Sequence, residues 1–102
     1  MVVNLRSKRL AHLFAEVYEQ LPETDSTTLS HQSLLVVDDP IFLPKDQAPI
    51  FGAVIRVSVK KAILIVYLSP RKLPRQSDCF VRQVIRDLLR SITDGNAASL
   101  PQ

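Results

Sequence analysis

Glycine is nearly missing from this chain, with two residues in 102. A phosphate cradle of the P-loop or dinucleotide type needs glycines where backbone amides close on the ligand, so both are excluded. A single cysteine, Cys79, excludes an intrachain disulfide framework and any metal site built from several thiolates. Tryptophan is absent and aromatic residues make up 6% of the chain, which leaves few rings on which bases could stack. No apolar run approaches the ~18 residues of a membrane span. The first ten residues, MVVNLRSKRL, carry charge where a signal peptide would keep its apolar stretch, so a reducing, cytoplasmic location is expected.

What is present suffices for one core. At 46% hydrophobic and 23% charged residues the chain is too apolar for wholesale disorder. A protein of this size can bury about two thirds of the surface of its unfolded chain. The expectation is a single domain over residues 1–95 with a frayed tail at 96–102. Charge is segregated along it. Arg6, Lys8 and Arg9 stand without an acid in the first fifteen residues, a balance of +3. Residues 16 to 46 hold seven carboxylates against the one ammonium of Lys45, a balance of −6. The remainder holds nine cations against Asp78, Asp87 and Asp94, a balance of +6. The basic part is expected to face the acidic middle of its own chain before it meets foreign phosphates.

Periodicity supplies the elements. Leu10, Leu13, Phe14, Val17, Tyr18 and Leu21 share one helical stripe, with Asn4 or Ser7 as cap and Pro22 as stop. ETDSTTLSHQ at 23 to 32 is rich in hydroxyls and acids and reads as a solvated connection. SLLVV at 33 to 37 reads as a buried strand closed by Asp38, Asp39 and Pro40. From Phe51 the period becomes two, with Phe51, Ala53, Ile55, Val57 and Val59 forming the core face. After a turn at Lys60 and Lys61, AILIVYL at 62 to 68 is apolar on both sides, as an inner strand would be. Ser77 or Asp78 opens a second helix whose Phe80, Val81, Val84, Ile85, Leu88, Leu89 and Ile92 cover about half its circumference, and Asp94-Gly95-Asn96 supplies a left-handed stop. The predicted fold is α+β, of order α-β-β-β-α, with two amphipathic helices packed on an antiparallel sheet of three or four strands.

Candidate chemistry is incomplete at each place it is sought. His12 and Glu16 are four apart and could share a metal, but no third ligand is nearby and they lie opposite the apolar stripe. His31 stands in the polar connection without a motif. Cys79 falls in the first turn of the second helix near Arg75 and Arg82, a setting that favours thiolate, yet no histidine is tied to it as a base. Asp38 and Asp39 at a strand end could hold Mg²⁺ with Lys60 beside it, but the third acid is missing and Asp-Asp-Pro reads as a strand terminator. Arg82, Arg86 and Arg90 form a row at i, i+4 and i+8, and with Arg71, Lys72 and Arg75 they make the candidate anion-binding set.

A strand reading ILIVYLSPRKL followed by a helix reading VRQVIRDLLRSITDG resembles the small bacterial zincin-like metallopeptidases, whose comparable helix bears HExxH. The resemblance runs from about Leu34 to Gly95 and sets Arg86, Asp87 and Arg90 where that family has His, Glu and His. A guanidinium has no lone pair for Zn²⁺, so the resemblance implies a degenerate scaffold without the metal motif. Together these readings predict a non-catalytic interaction module without cofactor or metal, recruiting a protein partner or a second copy through a bare strand edge or the two-sided strand AILIVYL. The alternative is a nucleic-acid-binding domain using Arg71, Lys72, Arg75, Arg82, Arg86 and Arg90.

Overall fold

The computed structural model of the chain describes residues 1–46, 49–58, 60 and 63–94. Ser7 opens helix α1 (Lys8–Glu19): its hydroxyl accepts from the Leu10 amide at 3.2 Å, satisfying one donor that the first turn leaves unpaired. Leu10, Leu13, Phe14 and Val17 are buried along the stripe that their spacing predicts. Asn4, the other candidate cap, belongs instead to a short strand β1 (Val2–Asn4) that the sequence pattern does not reveal. Three residues are too few to display a period of two.

The hydroxyl-rich segment after Pro22 is a helix, α2 (Glu23–Ser30), and this corrects the expectation of a solvated connection. Glu23 and Asp25 place negative charge in its first turn. The hydroxyls of Ser26, Thr28 and Ser30 donate back to the carbonyls of Glu23, Thr24 and Thr27, so they stay inside the helix without competing for its amides. Its sole buried residue, Leu29, is fully enclosed, a contribution of about 2 kcal/mol. One anchor makes no stripe.

Strands β2 (Ser33–Val37), β3 (Gly52–Ser58) and β4 (Ile63–Leu68) complete a four-stranded sheet in the order β1-β2-β4-β3. The sheet is mixed, which corrects the predicted antiparallel one: β1 with β2 and β2 with β4 run parallel, and the β3–β4 pair alone is antiparallel. The connections explain this. Two helices intervene between β1 and β2, and a long connection plus all of β3 intervene between β2 and β4, lengths that let a strand return in its original direction. Four residues separate Ser58 from Ile63, too few for a crossover, so β3 and β4 must reverse. Lys61 lies outside the described residues.

As its composition predicts, β4 lies between two other strands, with Leu64, Val66 and Leu68 on one face and Ile65 and Tyr67 on the other. The first face shares one core with the buried residues of α1, α2 and α3 (Asp78–Thr93), together with Leu34, Val36 and Val54. The second face joins Val37, Ile55, Ile65 and Tyr67, with Leu35, Leu43 and Ala53 packed against them and no helical residue among them. The faces of β3 are therefore exchanged relative to the expectation. Val54 enters the helix-covered core, Ile55 the other cluster, and Val57 is 56% exposed beside a register shift between Arg56 and Ser58. Phe51 precedes the strand and meets Phe80 edge to face, with centroids 4.8 Å apart. Val59 lies outside the described residues.

Gly52 is required by close approach. A Cβ there would stand 2.6 Å from the Tyr67 carbonyl oxygen and 2.9 Å from Leu88 Cδ1, so α3 rests on β3 at this point without room for a side chain. Ser77 caps α3 by accepting from the Phe80 amide at 3.2 Å. The helix runs to Thr93; the predicted stop at Gly95-Asn96 and the tail at 96–102 lie outside the described residues.

Candidate functional site

The chain has three places at which sequence or structure concentrates polar or unpartnered groups: the carboxyl ends of β1 and β2, the face of α3 that bears arginines, and the outer edge of β1. They differ in how fully their groups are already engaged.

Asp38 follows β2 and is 3% exposed. Its carboxylate accepts from the Arg6 amide at 3.1 Å with both oxygens and from the Ser7 amide at 3.1 Å. Those amides sit in the link between β1 and α1, so the carboxylate pins that link against the end of β2 and is committed there. Asp39 caps the 3₁₀ turn Pro40–Phe42, accepting from the Ile41 amide at 3.0 Å, and pairs with the Arg6 guanidinium at 2.9 Å. The paired carboxylates that suggested Mg²⁺ thus act as two local latches. Among the described residues no group of three or more His, Cys, Asp and Glu could hold a metal. Tyr67 lies beside them, and burial pushes its hydroxyl above the usual phenol range, with the Asp38 and Asp39 charges adding to the rise.

The six candidate anion-binding residues separate into three groups. Arg71, Lys72 and Arg75 lie exposed in the connection between β4 and α3. Arg82 donates from Nε to Glu16 Oε2 at 2.8 Å, while His12 Nε2 meets the other Glu16 oxygen at 2.7 Å. The Arg82 hydrogen bond holds the Glu16 carboxyl below the usual carboxylate range against the opposing effect of desolvation, and the charges of Arg82 and His12 reinforce it. His12 and Arg82 therefore share the Glu16 carboxylate where a metal was considered. Arg86 and Arg90 lie farther on, roughly 20 Å from the start of α3 at 1.5 Å per residue in the case of Arg90. They line a cavity of about 240 Å³ with Gln20, Leu21, Pro22, Asp25, Leu89 and Thr93. Asp87, between them in sequence, is exposed and accepts from Gln83 Nε2 at 2.7 Å. Cys79 is exposed in the first turn of α3, and His31 is exposed at the end of α2.

Two of these ion pairs join the basic and acidic blocks, Arg6 with Asp39 and Arg82 with Glu16. A third, Arg9 with Asp78 at 2.7 Å, is more than a pair of charges. The Arg9 guanidinium also donates to the carbonyls of Pro74 and Gln76 at 2.8 and 2.6 Å, fastening the start of α1 to the segment that leads into α3.

The outer edge of β1 was not legible in the sequence. Among the described residues the strand ends the sheet, pairing with β2 on one side only. Its residues and Met1 are exposed, Val2 by 61%, Val3 by 43% and Met1 by 45%. An apolar groove flanks each face. Met1, Val3, Ala11, Phe14, Ala15, Tyr18 and Glu19 bound about 250 Å³ on the α1 side, and Met1, Val2, Gln32, Ser33, Leu34, Leu35 and Ile63 bound about 330 Å³ on the other. Glu19 is the one charged side chain in either lining. The only sequence signal for it was the β-branched pair Val2-Val3 ahead of the helix.

No family model matches the chain, and neither a curated protein nor a solved structure is found to be similar to it. No helix among the described residues is long and apolar enough to cross a membrane.

Proposed function

We propose that this chain is a non-catalytic protein-interaction module that pairs with a second copy of itself along β1. The observation that carries this reading is the unpaired outer edge of β1. A strand edge is a row of backbone donors and acceptors that any extended segment can satisfy, and soluble proteins usually blunt such edges with charge, proline or a bulge. Val2, Val3 and Asn4 supply none of these. The segment that would fit carries apolar side chains, because the flanking grooves are mostly apolar, and Met1 to Val3 is itself such a segment. Antiparallel pairing of two β1 edges about a two-fold axis would join the sheets and offer the grooves the side chains of the opposite copy.

Strand β4, the other feature from which recruitment was expected, has its two edges and both faces occupied and is set aside as a docking surface. The nucleic-acid reading gains no support from the scatter of its six residues or from the pairing of Arg82 with Glu16. The zincin-like kinship rests on sequence pattern: β4 followed by α3, with Arg86, Asp87 and Arg90 at the places of a metal motif. It is retained as a proposal of ancestry for the scaffold.

Light scattering across a wide concentration range tests the pairing. The expected outcome is a mass that rises toward twice 11.5 kDa and returns to 11.5 kDa in Val3→Lys. A monomer at every concentration, or a dimer indifferent to Val3→Lys, overturns it.

A further inference from the structure

Arg86 and Arg90 are one helical turn apart, a spacing that sets their Cβ atoms about 5–6 Å from each other on one face. Both line the cavity between the end of α1, the start of α2 and the last turns of α3. Among the described residues neither guanidinium has a carboxylate within salt-bridge distance, and the one side-chain partner recorded for either is Gln83 Oε1, 3.2 Å from Arg86 Nη1. This differs from Arg6, Arg9 and Arg82, each of which has found an acid of its own. The rest of the lining is mixed in character. Leu21, Pro22 and Leu89 give apolar walls, Gln20 brings an amide, and the Thr93 hydroxyl is already turned to the Arg90 carbonyl at 3.0 Å.

We propose that the cavity bearing Arg86 and Arg90 binds a small multivalent oxyanion, a phosphate or the carboxylates of a small acid. Two guanidiniums carry fixed charge and forked donors that match the oxygens of such an ion, whatever the pH. The start of α2 borders the same cavity, but Glu23 and Asp25 already answer its dipole, so the arginines alone carry the site. Asp25 also lines the cavity and opposes an anion there. It limits the affinity of the wild-type site and supplies a sign by which the site can be recognised. The cavity lies on a different part of the molecule from the β1 edge, and either proposal can fail without the other.

The test is titration of the whole chain with inorganic phosphate and, separately, with citrate at constant ionic strength, following NMR shifts of residues around the cavity. Saturable shifts confined to that region are expected. Arg86→Gln or Arg90→Gln should weaken binding about tenfold, Lys72→Gln with Arg75→Gln should leave it unchanged, and Asp25→Asn should strengthen it severalfold. Melting temperatures of the variants without added anion confirm that they are folded. Tighter binding of phosphate or of citrate tells which oxyanion the site prefers. Absence of saturable shifts overturns the proposal, as does an equal loss in the Lys72 and Arg75 variant, which would mark general attraction to positive charge.

Discussion

The two edges of the sheet are defended differently. On the β3 side the strand is antiparallel to its neighbour, carries Arg56, and shifts register between Arg56 and Ser58. Such an irregularity twists an edge away from a straight row of donors and acceptors. On the β1 side a short, uncharged strand lies parallel to β2, with apolar grooves above and below. The β3 edge is built by its own hairpin. By contrast β1 is three residues long and pairs with β2 alone, and the link that follows it is pinned by the Asp38 carboxylate through the Arg6 and Ser7 amides. The open edge is therefore also the one anchored, beyond its pairing with β2, by a single buried side chain.

The largest expected effect comes from removing that side chain. Asp38→Ala leaves the Arg6 and Ser7 amides without their acceptor and should cost about 3 kcal/mol, read from urea denaturation. It should also abolish self-association by freeing β1; association that survived would show that β1 keeps its place without Asp38. Gly52→Ala probes the opposite edge. The added methyl would meet backbone at 2.6 Å and Leu88 at 2.9 Å, so a loss of about 2 kcal/mol is expected with dimerisation retained once folded. Val57→Lys on β3 and Val3→Lys on β1 should each change stability by less than about 0.5 kcal/mol, yet Val3→Lys alone should yield a monomer by light scattering. Equal effects of the two lysines would erase the distinction between the edges.

The smallest effect concerns pH. Arg82 holds the Glu16 carboxyl below its unfolded value, so its contribution is present above the ordinary carboxylate range. It is lost as pH falls through the folded-state pKa, where the folded chain must take up a proton. Thermal melts between neutral and acid pH should show a shallower decline for Glu16→Gln than for the wild type. Because the pair joins α1 to α3 and touches neither edge, the monomer–dimer balance should not follow it.

The long periodic elements were readable because burial had already written itself into them. The centre of each expected stripe is buried, Leu10 to Val17 in α1 and Val81, Ile85, Leu89 and Ile92 in α3, while Tyr18, Leu21, Val84 and Leu88 at the margins are half-buried and Phe80 is 37% exposed. Both caps, Ser7 and Ser77, follow from local chemistry that no distant residue needs to supply. AILIVYL could be placed inside the sheet because only a strand covered on both faces tolerates that composition. The elements that escaped notice have little burial of their own. In α2 the single anchor Leu29 shows no period, and β1 owes its register to pairing with β2, the link after it being pinned by Asp38, 32 residues beyond Arg6. The faces of β3 read the wrong way round in the sequence, because Arg56 and Ser58 mark as polar the side on which Val54 enters the helix-covered core. The candidate sites divided in the same way. That Arg86 and Arg90 share a face was legible from their spacing; that α1 and α2 close a cavity over them was not.

By itself the sequence determined which stretches would bury a stripe and narrowed the start of each long helix to two candidate caps, because each of these depends on neighbours within a turn or two of chain. Only the tertiary structure decided strand direction, the exchange of faces in β3, and which arginines are answered by acids. Those outcomes depend on elements far apart in sequence meeting in space, and pairwise encounters of that kind leave no periodic mark on either partner.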